Sequence, residues 1–274
     1  MPEFRVRRVL SNNALIVSTA GENAIESVRV GKGIGFAKKP GDLIESPLDS
    51  REYVEISEQQ RAVLDSLREL DDHLLTVISA SIDLASDMLG DLHPSVYVIL
   101  AEHIAFAVER TTRGEVIHNS LIAETRAVIP EEFHTAELIV HYLNTHLDQL
   151  DLPLDEAAYI ALHLHAARSG ASVKQPLAVA NALGQATATV RQLLGDAGDQ
   201  DALSMELAML LRRLKQGRLR ANALQRDVEK RLPKEFDVAN RIIANLLNQP
   251  TTAPEARGEA AFLAMFLHGW TQNI

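Results

Sequence analysis

The stretch Glu156-Ala-Ala-Tyr-Ile-Ala-Leu-His163-Leu-His-Ala-Ala167 decides how the chain is organised, because it occurs twice. It returns 103 residues later as Glu259-Ala-Ala-Phe-Leu-Ala-Met-Phe266-Leu-His-Gly-Trp270. Pro130-Glu-Glu-Phe133 returns at the same spacing as Pro233-Lys-Glu-Phe236, and a third pair of segments, centred on positions 103 and 206, also matches. Three matches at one spacing predict a duplicated helical module.

The two copies differ in the residues that can carry chemistry. His103 and His163 of the first copy become Glu206 and Phe266 in the second. At 100° per residue, His103 shares a helix face with apolar residues, whereas His165 lies about 200° from His163 around its helix. The first copy also holds nine of the ten histidines of the chain. Histidine chemistry is therefore predicted for the first copy.

The N-terminal residues 1–56 show short β-branched and apolar runs between turn-prone residues instead of a helical period. Four strands are predicted, over Phe4–Leu10, Ala14–Ser18 and Ala24–Val30 and near Leu43. Four short strands bury little apolar area, so a lone subunit would be marginally stable. We therefore expect this domain to form a homodimer.

The rest of the chain follows the helical period. Ser57-Glu-Gln-Gln60 is a capping box that predicts a helix start, and Ser169–Pro176 is the predicted hinge between the two copies. The predicted fold is a small all-β domain with a four-stranded antiparallel sheet, followed by two tandem all-α helical-bundle domains. The predicted domain ranges are 1–56, 57–170 and 171–274.

Composition excludes several classes of function. The chain has no Cys, which excludes disulfides, thiolate zinc sites and thiol nucleophiles and is typical of a reducing cytoplasm. No apolar run approaches the length of a membrane span, and the N-terminus lacks the apolar core of a signal peptide. The net charge is -10, yet residues 1–40 carry seven basic and three acidic side chains. We expect a cytoplasmic protein without membrane insertion, in which the first forty residues are suited to bind a polyanion.

The loop Gly31-Lys-Gly-Ile-Gly35 is not a nucleotide fingerprint, because those motifs need a helix directly after the glycines and here a Pro-Gly turn follows. Two interpretations stay open. The glycines can form a tight connection between strands, with Phe36 in the small core. Alternatively Lys32, Phe36 and the amides of Asn12 and Asn13 form an RNA-binding surface, since amides pair with base edges, rings stack on unpaired bases and cations meet phosphate.

His103 and His163 can be core histidines, metal ligands, acid–base groups or phosphate acceptors. A metal site is disfavoured because His163 and His165 point apart and no His-Glu-x-x-His motif occurs. The chain also has neither a Gly-x-Ser-x-Gly motif nor a thiol nucleophile. The exchange of both histidines between the copies favours a function, since a core position usually stays apolar. No catalytic residue, metal ligand or cofactor is predicted.

Along its whole length the chain resembles the BglG/SacY/LicT transcriptional antiterminators. The most specific pieces are Arg8-Val-Leu-Ser-Asn-Asn13 and Gly31-Lys-Gly-Ile-Gly-Phe-Ala-Lys-Lys-Pro-Gly-Asp42, followed by the segments around His103, Pro130–Phe133 and Glu156–His163. The resemblance implies a co-antiterminator (CAT) RNA-binding domain and two phosphotransferase regulation domains (PRDs), the second of them degenerate. A homodimer of CAT domains would bind a leader-RNA hairpin in a sugar-utilisation operon and prevent termination.

The resemblance also implies the residues that contact RNA. By position, the motif of the family maps onto Arg8, Asn12, Asn13, Gly31, Lys32, Gly33 and Phe36. Ser11 stands where many members have a third Asn, and Lys32 where many have Arg. The second difference replaces a bidentate fork with a point charge.

In the family, each PRD carries two histidines that accept phosphate from phosphotransferase-system (PTS) proteins. The sugar-specific permease, enzyme II, phosphorylates the first PRD and switches the protein off, whereas HPr phosphorylates the second and helps to switch it on. His103 and His163 match the first-PRD acceptors, but Glu206 and Phe266 cannot accept phosphate in this way. The resemblance implies negative control by a permease without the usual activation by HPr at those positions, and no enzymatic activity.

Two other functions stay open. A PRD-containing DNA-binding transcriptional activator would need a helix-turn-helix domain, and the β-rich residues 1–56 argue against one. A signalling adaptor without RNA binding is supported by Ser11 and Lys32 alone.

Overall fold

A computed structural model describes residues 4–19, 25–44, 52–55, 71–115, 117–170, 172–195, 198–247 and 254–272. Packing divides the chain into two units, one with residues 1–119 and 131–173 and the other with residues 120–130 and 174–274. None of the helices described in these ranges is long and apolar enough to cross a membrane. The predicted capping box at 57–60 lies outside the described residues.

The first unit begins with one antiparallel sheet. Its strands are β1 (Phe4–Val9), β2 (Ala14–Thr19), β3 (Glu26–Val30), β4 (Leu43–Ile44) and β5 (Glu52–Glu55). In space their order is β4-β1-β2-β3-β5, so the two hairpins lie in the middle and β4 and β5 form the edges. The predicted all-β domain is confirmed, and β5 is a further strand that the sequence analysis does not predict.

Alternating burial explains how these residues form a sheet. On β1, Phe4 and Val6 are buried and the arginines on either side of Val6 are exposed, as expected for a strand with one face on a core. The pairing of Ala14 with Val30 brings the β1–β2 turn and the loop after β3 to the same end of the sheet. The core cluster of this domain comprises Phe4, Val6, Leu15, Val17, Ile34 and Ile44.

Ten helices follow in the described residues, which confirms the predicted all-α character of this part of the chain. The repeat is visible in their bounds, because α3 and α8 begin and end 103 residues apart. The helices are α1 (Asp72–Leu89), α2 (Val96–Thr112), α3 (Ile122–Val128), α4 (Pro130–His146), α5 (Asp155–Ser169), α6 (Lys174–Leu194), α7 (Gln200–Gln216), α8 (Gln225–Arg231), α9 (Pro233–Leu247) and α10 (Pro254–Trp270).

The second unit contains α6 to α10 and also α3, which belongs to the first copy by sequence. Helix α3 packs on α6 and α7. Its Glu124 is buried and accepts long hydrogen bonds from Ser204 Oγ and Gln200 Nε2, both at 3.4 Å. Residues 120–130 therefore pack with the second unit, while the domain boundaries at residues 57 and 171 stay a prediction.

Candidate functional site

The loop after β3 is held on the β1–β2 turn by three backbone donors. Gly31 N–H donates to the Asn13 carbonyl, Gly35 N–H to the Asn12 carbonyl and Gly33 N–H to Asn13 Oδ1, each at 2.9 Å. A Cβ on Gly35 would lie 2.1 Å from the carbonyl oxygen of Ser11, so only glycine fits this approach. The two segments therefore form one surface, which we call the glycine-loop surface (Ser11–Asn13 and Gly31–Phe36).

The glycine-loop surface presents the groups that the sequence analysis selects. The Phe36 side chain is 70 % exposed, so its interpretation as a core residue is wrong. Asn12 and Lys32 are exposed beside it, and Gly33 has a φ of +71° that a side chain would strain. An exposed ring, an amide and a cation on a rigid loop can stack on a base, pair with a base edge and meet a phosphate.

Arg8 differs from the other candidates in its environment. It lies on β1, its side chain is 18 % exposed, and its guanidinium Nη2 is 3.7 Å from Asp72 Oδ1 at the start of α1. Asn13 is half-buried, and its Oδ1 is used within the loop by Gly33 N–H. Among the candidates, these two residues therefore already have partners within the protein.

A carboxylate that the sequence analysis missed lies behind the turn. Asp83 of α1 accepts hydrogen bonds from Ser11 Oγ at 3.0 Å and from the Tyr97 hydroxyl of α2 at 2.6 Å. Burial raises the pKa of Asp83 above its ordinary value, although hydrogen bonds from Tyr97, Ser11 and the Asn13 side chain oppose the rise. Burial, together with the hydrogen bond to Asp83, raises the pKa of Tyr97 as well.

Helices α2 and α5 bring His103 and His163 together. Their ring centroids are 5.2 Å apart, and the Tyr159 ring is 5.9 Å from that of His103. Glu156, 1 % exposed, lies beside them, with Oε2 at 3.4 Å from His103 Nε2 and Oε1 accepting a hydrogen bond from Arg110. The 3.4 Å contact is an ion-pair distance without hydrogen-bond alignment. We call these four residues (His103, Arg110, Glu156 and His163) the histidine cluster.

The electrostatics of the histidine cluster suit an imidazole that reacts as a base or nucleophile. Burial, and then the neighbouring His103, lower the pKa of His163 to about 4, so its ring is neutral at pH 7. Burial alone would raise the pKa of Glu156, but the neighbouring His103 and the hydrogen bond from Arg110 outweigh it and hold the pKa below its ordinary value. A neutral ring beside a fixed anion can take a phosphoryl group on a free nitrogen.

His163 also lines a cavity of about 340 Å³, with His93 and Ser95 before α2 and with Ala166 and Gly170 at the end of α5. His93 Nδ1 lies 2.8 Å from Ser95 Oγ. His163 therefore borders open space, in contrast to the fully buried Leu164 beside it in the sequence. The sequence does not predict this cavity, because a cavity depends on the packing of elements that are distant in sequence.

The second unit holds a different set of side chains at the corresponding place. Glu259 is fully buried and accepts hydrogen bonds from Arg213 and Arg220, and the closest of these, from Arg220 Nη2, measures 2.8 Å. Glu206 lies 3.3 Å from Arg213 Nη2 and 3.7 Å from Arg220 Nη2. Phe266 packs against the hydrophobic core of this unit. We call Glu206, Arg213, Arg220 and Glu259 the arginine cluster.

His165 and His268 occupy equivalent sites that lie apart from both clusters. His165 Nδ1 is 3.2 Å from Glu132 Oε1, and His268 Nδ1 is 2.9 Å from Glu235 Oε1. Because His163 and His165 point to different sides of α5, they have different partners: His163 lies beside His103, and His165 lies beside Glu132. His268 matches His165 in its contact as well as in sequence.

Two family models match the chain, which defines its class. The model described as CAT RNA binding domain matches residues 4–62, and the model described as PRD domain matches residues 82–167. The first contains the glycine-loop surface, and the second contains His103 and His163. A CAT domain joined to a PRD defines a regulator that acts on RNA.

Relatives match over the full length. The chain is 26 % identical over 284 residues to Protein GlcT of Staphylococcus saprophyticus and 28 % identical over 287 residues to Protein GlcT of Staphylococcus aureus, covering 100 % of this chain and 99 % of each relative. The chain is also similar to a solved structure, the crystal structure of GlcT CAT-PRDI. The two are 32 % identical, the match covers 61 % of this chain and 99 % of that chain, and the TM-score is 0.46. The chain belongs to the BglG/SacY/LicT family of transcriptional antiterminators. It is a sugar-responsive regulator of transcription and not an enzyme.

Proposed function

We propose that the chain binds a leader-RNA hairpin through the glycine-loop surface and Arg8, as a homodimer in the cytoplasm. The contacting residues are Arg8, Asn12, Asn13, Gly31, Lys32, Gly33 and Phe36. Bound in this way, the protein stabilises the hairpin against an overlapping terminator, so that transcription continues.

The exposure of Phe36 carries this proposal. Because Phe36 is 70 % exposed, its ring buries little apolar area and gains little folding energy from its position. It lies next to the exposed Lys32 and Asn12, in the part of the chain where basic residues outnumber acidic ones. Stacking on an unpaired base explains both the ring and its setting, and contributes about 1–3 kcal/mol per base.

Phe36→Ala tests the RNA site. The variant is expected to bind a leader transcript with an imperfect hairpin about 5- to 150-fold more weakly, which is the loss that a stacking energy of about 1–3 kcal/mol corresponds to. Ile25→Ala is the matched control, because Ile25 is also an exposed apolar residue of this domain, at 44 %. Equal binding by both variants and the unchanged chain, measured by fluorescence anisotropy, would contradict the proposal.

We infer further that PTS phosphorylation of His103 and His163 by the sugar-specific permease, enzyme II, switches the protein off. A phosphoryl group brings about two negative charges. On His103 it would lie beside the buried Glu156, which pairs with the guanidinium of Arg110. Two anions of this kind repel each other across a desolvated gap, so the packing of α2 against α5 has to change.

The acceptor assignment is testable with a histidine control from the same helix. The chain is incubated with the PTS proteins, including enzyme II and HPr, and phosphorylated peptides are identified by mass spectrometry at neutral to alkaline pH. His103→Ala and His163→Ala are each expected to lose one site, whereas His165→Ala keeps both because His165 is bound to Glu132 outside the cluster. Unchanged phosphorylation in His103→Ala and His163→Ala would exclude both acceptors.

A further inference from the structure

Two carboxylates of helix α1 contact residues near the proposed RNA site. One contacts the glycine-loop surface, and the other contacts Arg8. Asp83 accepts a hydrogen bond from Ser11 Oγ at 3.0 Å and contacts the side chain of Asn13. Asp72, at the start of the same helix, lies 3.7 Å from the guanidinium of Arg8. Eleven residues of helix separate the two carboxylates, about three turns, so α1 holds the RNA-binding end of the sheet at two places.

The groups that α1 holds are donors. The Ser11 hydroxyl, the Asn13 amide and the Arg8 guanidinium all present N–H or O–H groups, and the acceptors of an RNA hairpin are phosphate and base oxygens and nitrogens. The carboxylate oxygens of Asp72 and Asp83 have the same charge and hydrogen-bonding chemistry as phosphate oxygens. A donor that is bound to one of them is not available to the other.

We propose that α1 is an autoinhibitory helix whose Asp83 and Asp72 occupy RNA-binding donors, so that α1 has to release the turn before the hairpin is bound. The inference rests on the proposed RNA binding. The two negative charges also repel the approaching phosphates, which adds an electrostatic cost to the loss of the donors.

Asp83 has a second partner that fixes it in place. The Tyr97 hydroxyl donates to the same Asp83 oxygen at 2.6 Å, and Tyr97 is buried in the first turn of α2. The carboxylate is therefore shared between the RNA-binding turn and the helix that carries His103. Release of Ser11 leaves Asp83 with Tyr97 as a partner, so it does not strand a bare carboxylate in a half-buried site.

The test compares hairpin binding by full-length variants. Asp83→Asn keeps the shape of the side chain and removes its charge, and we expect binding of an imperfect-hairpin leader transcript to tighten about tenfold, since a hydrogen bond to a charged group is worth on the order of 1.5 kcal/mol. Asp72→Asn, at a fully exposed site, is expected to tighten it two- to threefold. Asp87→Asn is the control, because exposed Asp87 lies one turn further along α1.

Hydrogen exchange without RNA gives an independent measurement. The amides of Asn13 and Gly33 are expected to exchange faster in Asp83→Asn than in the unchanged chain and in Asp87→Asn. Weaker or unchanged hairpin binding by Asp83→Asn, with binding by the unchanged chain intact, would overturn the inference and make Asp83 a positioning residue. If the unchanged chain and Phe36→Ala bind the hairpin equally poorly, the proposed RNA binding itself fails and the inference fails with it.

Discussion

The histidine cluster and the arginine cluster are the same place in two copies of one fold, with different chemistry. Each has a buried Glu paired with an Arg in the last turn of an earlier helix, Glu156 with Arg110 of α2 and Glu259 with Arg213 of α7. The first copy adds two imidazoles, one of them held neutral by burial. The second adds a carboxylate, Glu206, and a second guanidinium. The second copy therefore holds a permanent second anion, Glu206, at the place where the first copy has a proposed phosphate acceptor, His103.

The two clusters also differ in the number of guanidinium groups that pair with the buried Glu. The buried Glu259 is served by Arg213 and Arg220, which also reach Glu206, so two anions face two cations. Burial would raise the pKa of Glu259, but the hydrogen bonds from Arg220 and Arg213 outweigh it and keep the pKa low. Among the described residues, the histidine cluster has one guanidinium, that of Arg110, paired with Glu156. The arginine cluster therefore accommodates a second anion, whereas the proposed phosphorylation would place one in the histidine cluster without a second guanidinium among the described residues.

The largest expected effect is that of Glu259→Gln, which removes the buried carboxylate and leaves Glu206 as the shared anion of Arg213 and Arg220. We expect it to lower the free energy of unfolding of the second unit by about 3–5 kcal/mol. Trp270, the one Trp of the chain, is buried in this unit, so urea denaturation followed by its fluorescence measures the loss. Glu229→Gln, which removes an exposed bridge to Arg257, should cost no more than about 1 kcal/mol. If both variants lost the same free energy of unfolding, the buried Glu259 would contribute no more than an exposed ion pair, and the contrast between the two clusters would fail.

Gly258→Ala tests how the second guanidinium reaches its carboxylate. A Cβ on Gly258 would lie 2.3 Å from the carbonyl oxygen of Arg220, whose N–H donates to Glu259 Oε1 at 2.9 Å. The first copy has Asp155 here, and this carboxylate accepts from Asn119 N–H instead. We expect a loss of about 1–3 kcal/mol in the same fluorescence measurement.

The control for this variant is Gly269→Ala, on the same helix, where a Cβ would meet nothing within 4 Å. It should be neutral or slightly stabilising, because Ala forms helix better than Gly. A Gly258→Ala variant as stable as Gly269→Ala would mean that the Arg220 segment moves freely and that the close approach is unimportant.

His163→Phe gives the first copy the residue that the second copy has at this position, Phe266. It should remove a pH dependence of the stability of the first unit. The pKa of His163 is lowered from 6.5 to about 4, so the unfolded chain binds a proton between these values that the folded chain does not. The first unit therefore loses stability as the pH falls from 6.5 towards 4, on the order of 1–2 kcal/mol by pH 5. Pulsed hydrogen exchange across a urea titration, read on peptides from α2 and α5, gives the value at each pH.

The variant should flatten this pH dependence, whereas His118→Gln should keep it, because the His118 side chain is 98 % exposed. A pH dependence of the same size in His163→Phe and the unchanged chain would assign the effect to another group.

The smallest expected effect is that of Glu206→His, which gives the second copy the residue type of the first. Glu206 makes two contacts, at 3.3 and 3.7 Å, and its side chain is 17 % exposed. We expect a loss of about 0.5–1 kcal/mol, with Glu206→Gln losing a similar amount. Incubation with HPr and mass spectrometry would show whether position 206 becomes phosphorylated. Phosphorylation there would show that the residue type, and not the arginine cluster, sets the difference between the copies.

Local patterns predicted much of this molecule. The repeat located both helical copies, the turn-prone residues located the sheet, and the glycines located the exposed surface with Phe36. These features depend on residues that are near each other in sequence or that recur at a fixed period. The histidines were found in the same way, since their exchange between copies is visible in the letters alone.

The remaining features depend on contacts between distant residues. Asp83 meets Ser11 across 72 positions, and its place between apolar residues of α1 was the one available signal. Arg220 has an apolar counterpart in the first copy, so the repeat gave no reason to select it. Strand β5 is short and begins and ends with Glu. It forms by pairing with β3, which would otherwise be the edge strand of the sheet, and no local pattern predicts this pairing.

Helix α3 affects how the chain is made as well as how it packs. Its sequence lies in the first copy, yet its partners α6 and α7 are synthesised only after α4 and α5. During translation from the N-terminus, α3 therefore emerges from the ribosome without a binding surface and has to wait for it. A chain cut at the hinge after α5 would separate α3 from α6 and α7. The C-terminal fragment would then lack a helix that packs on both, and it should be less stable than the second unit of the whole chain.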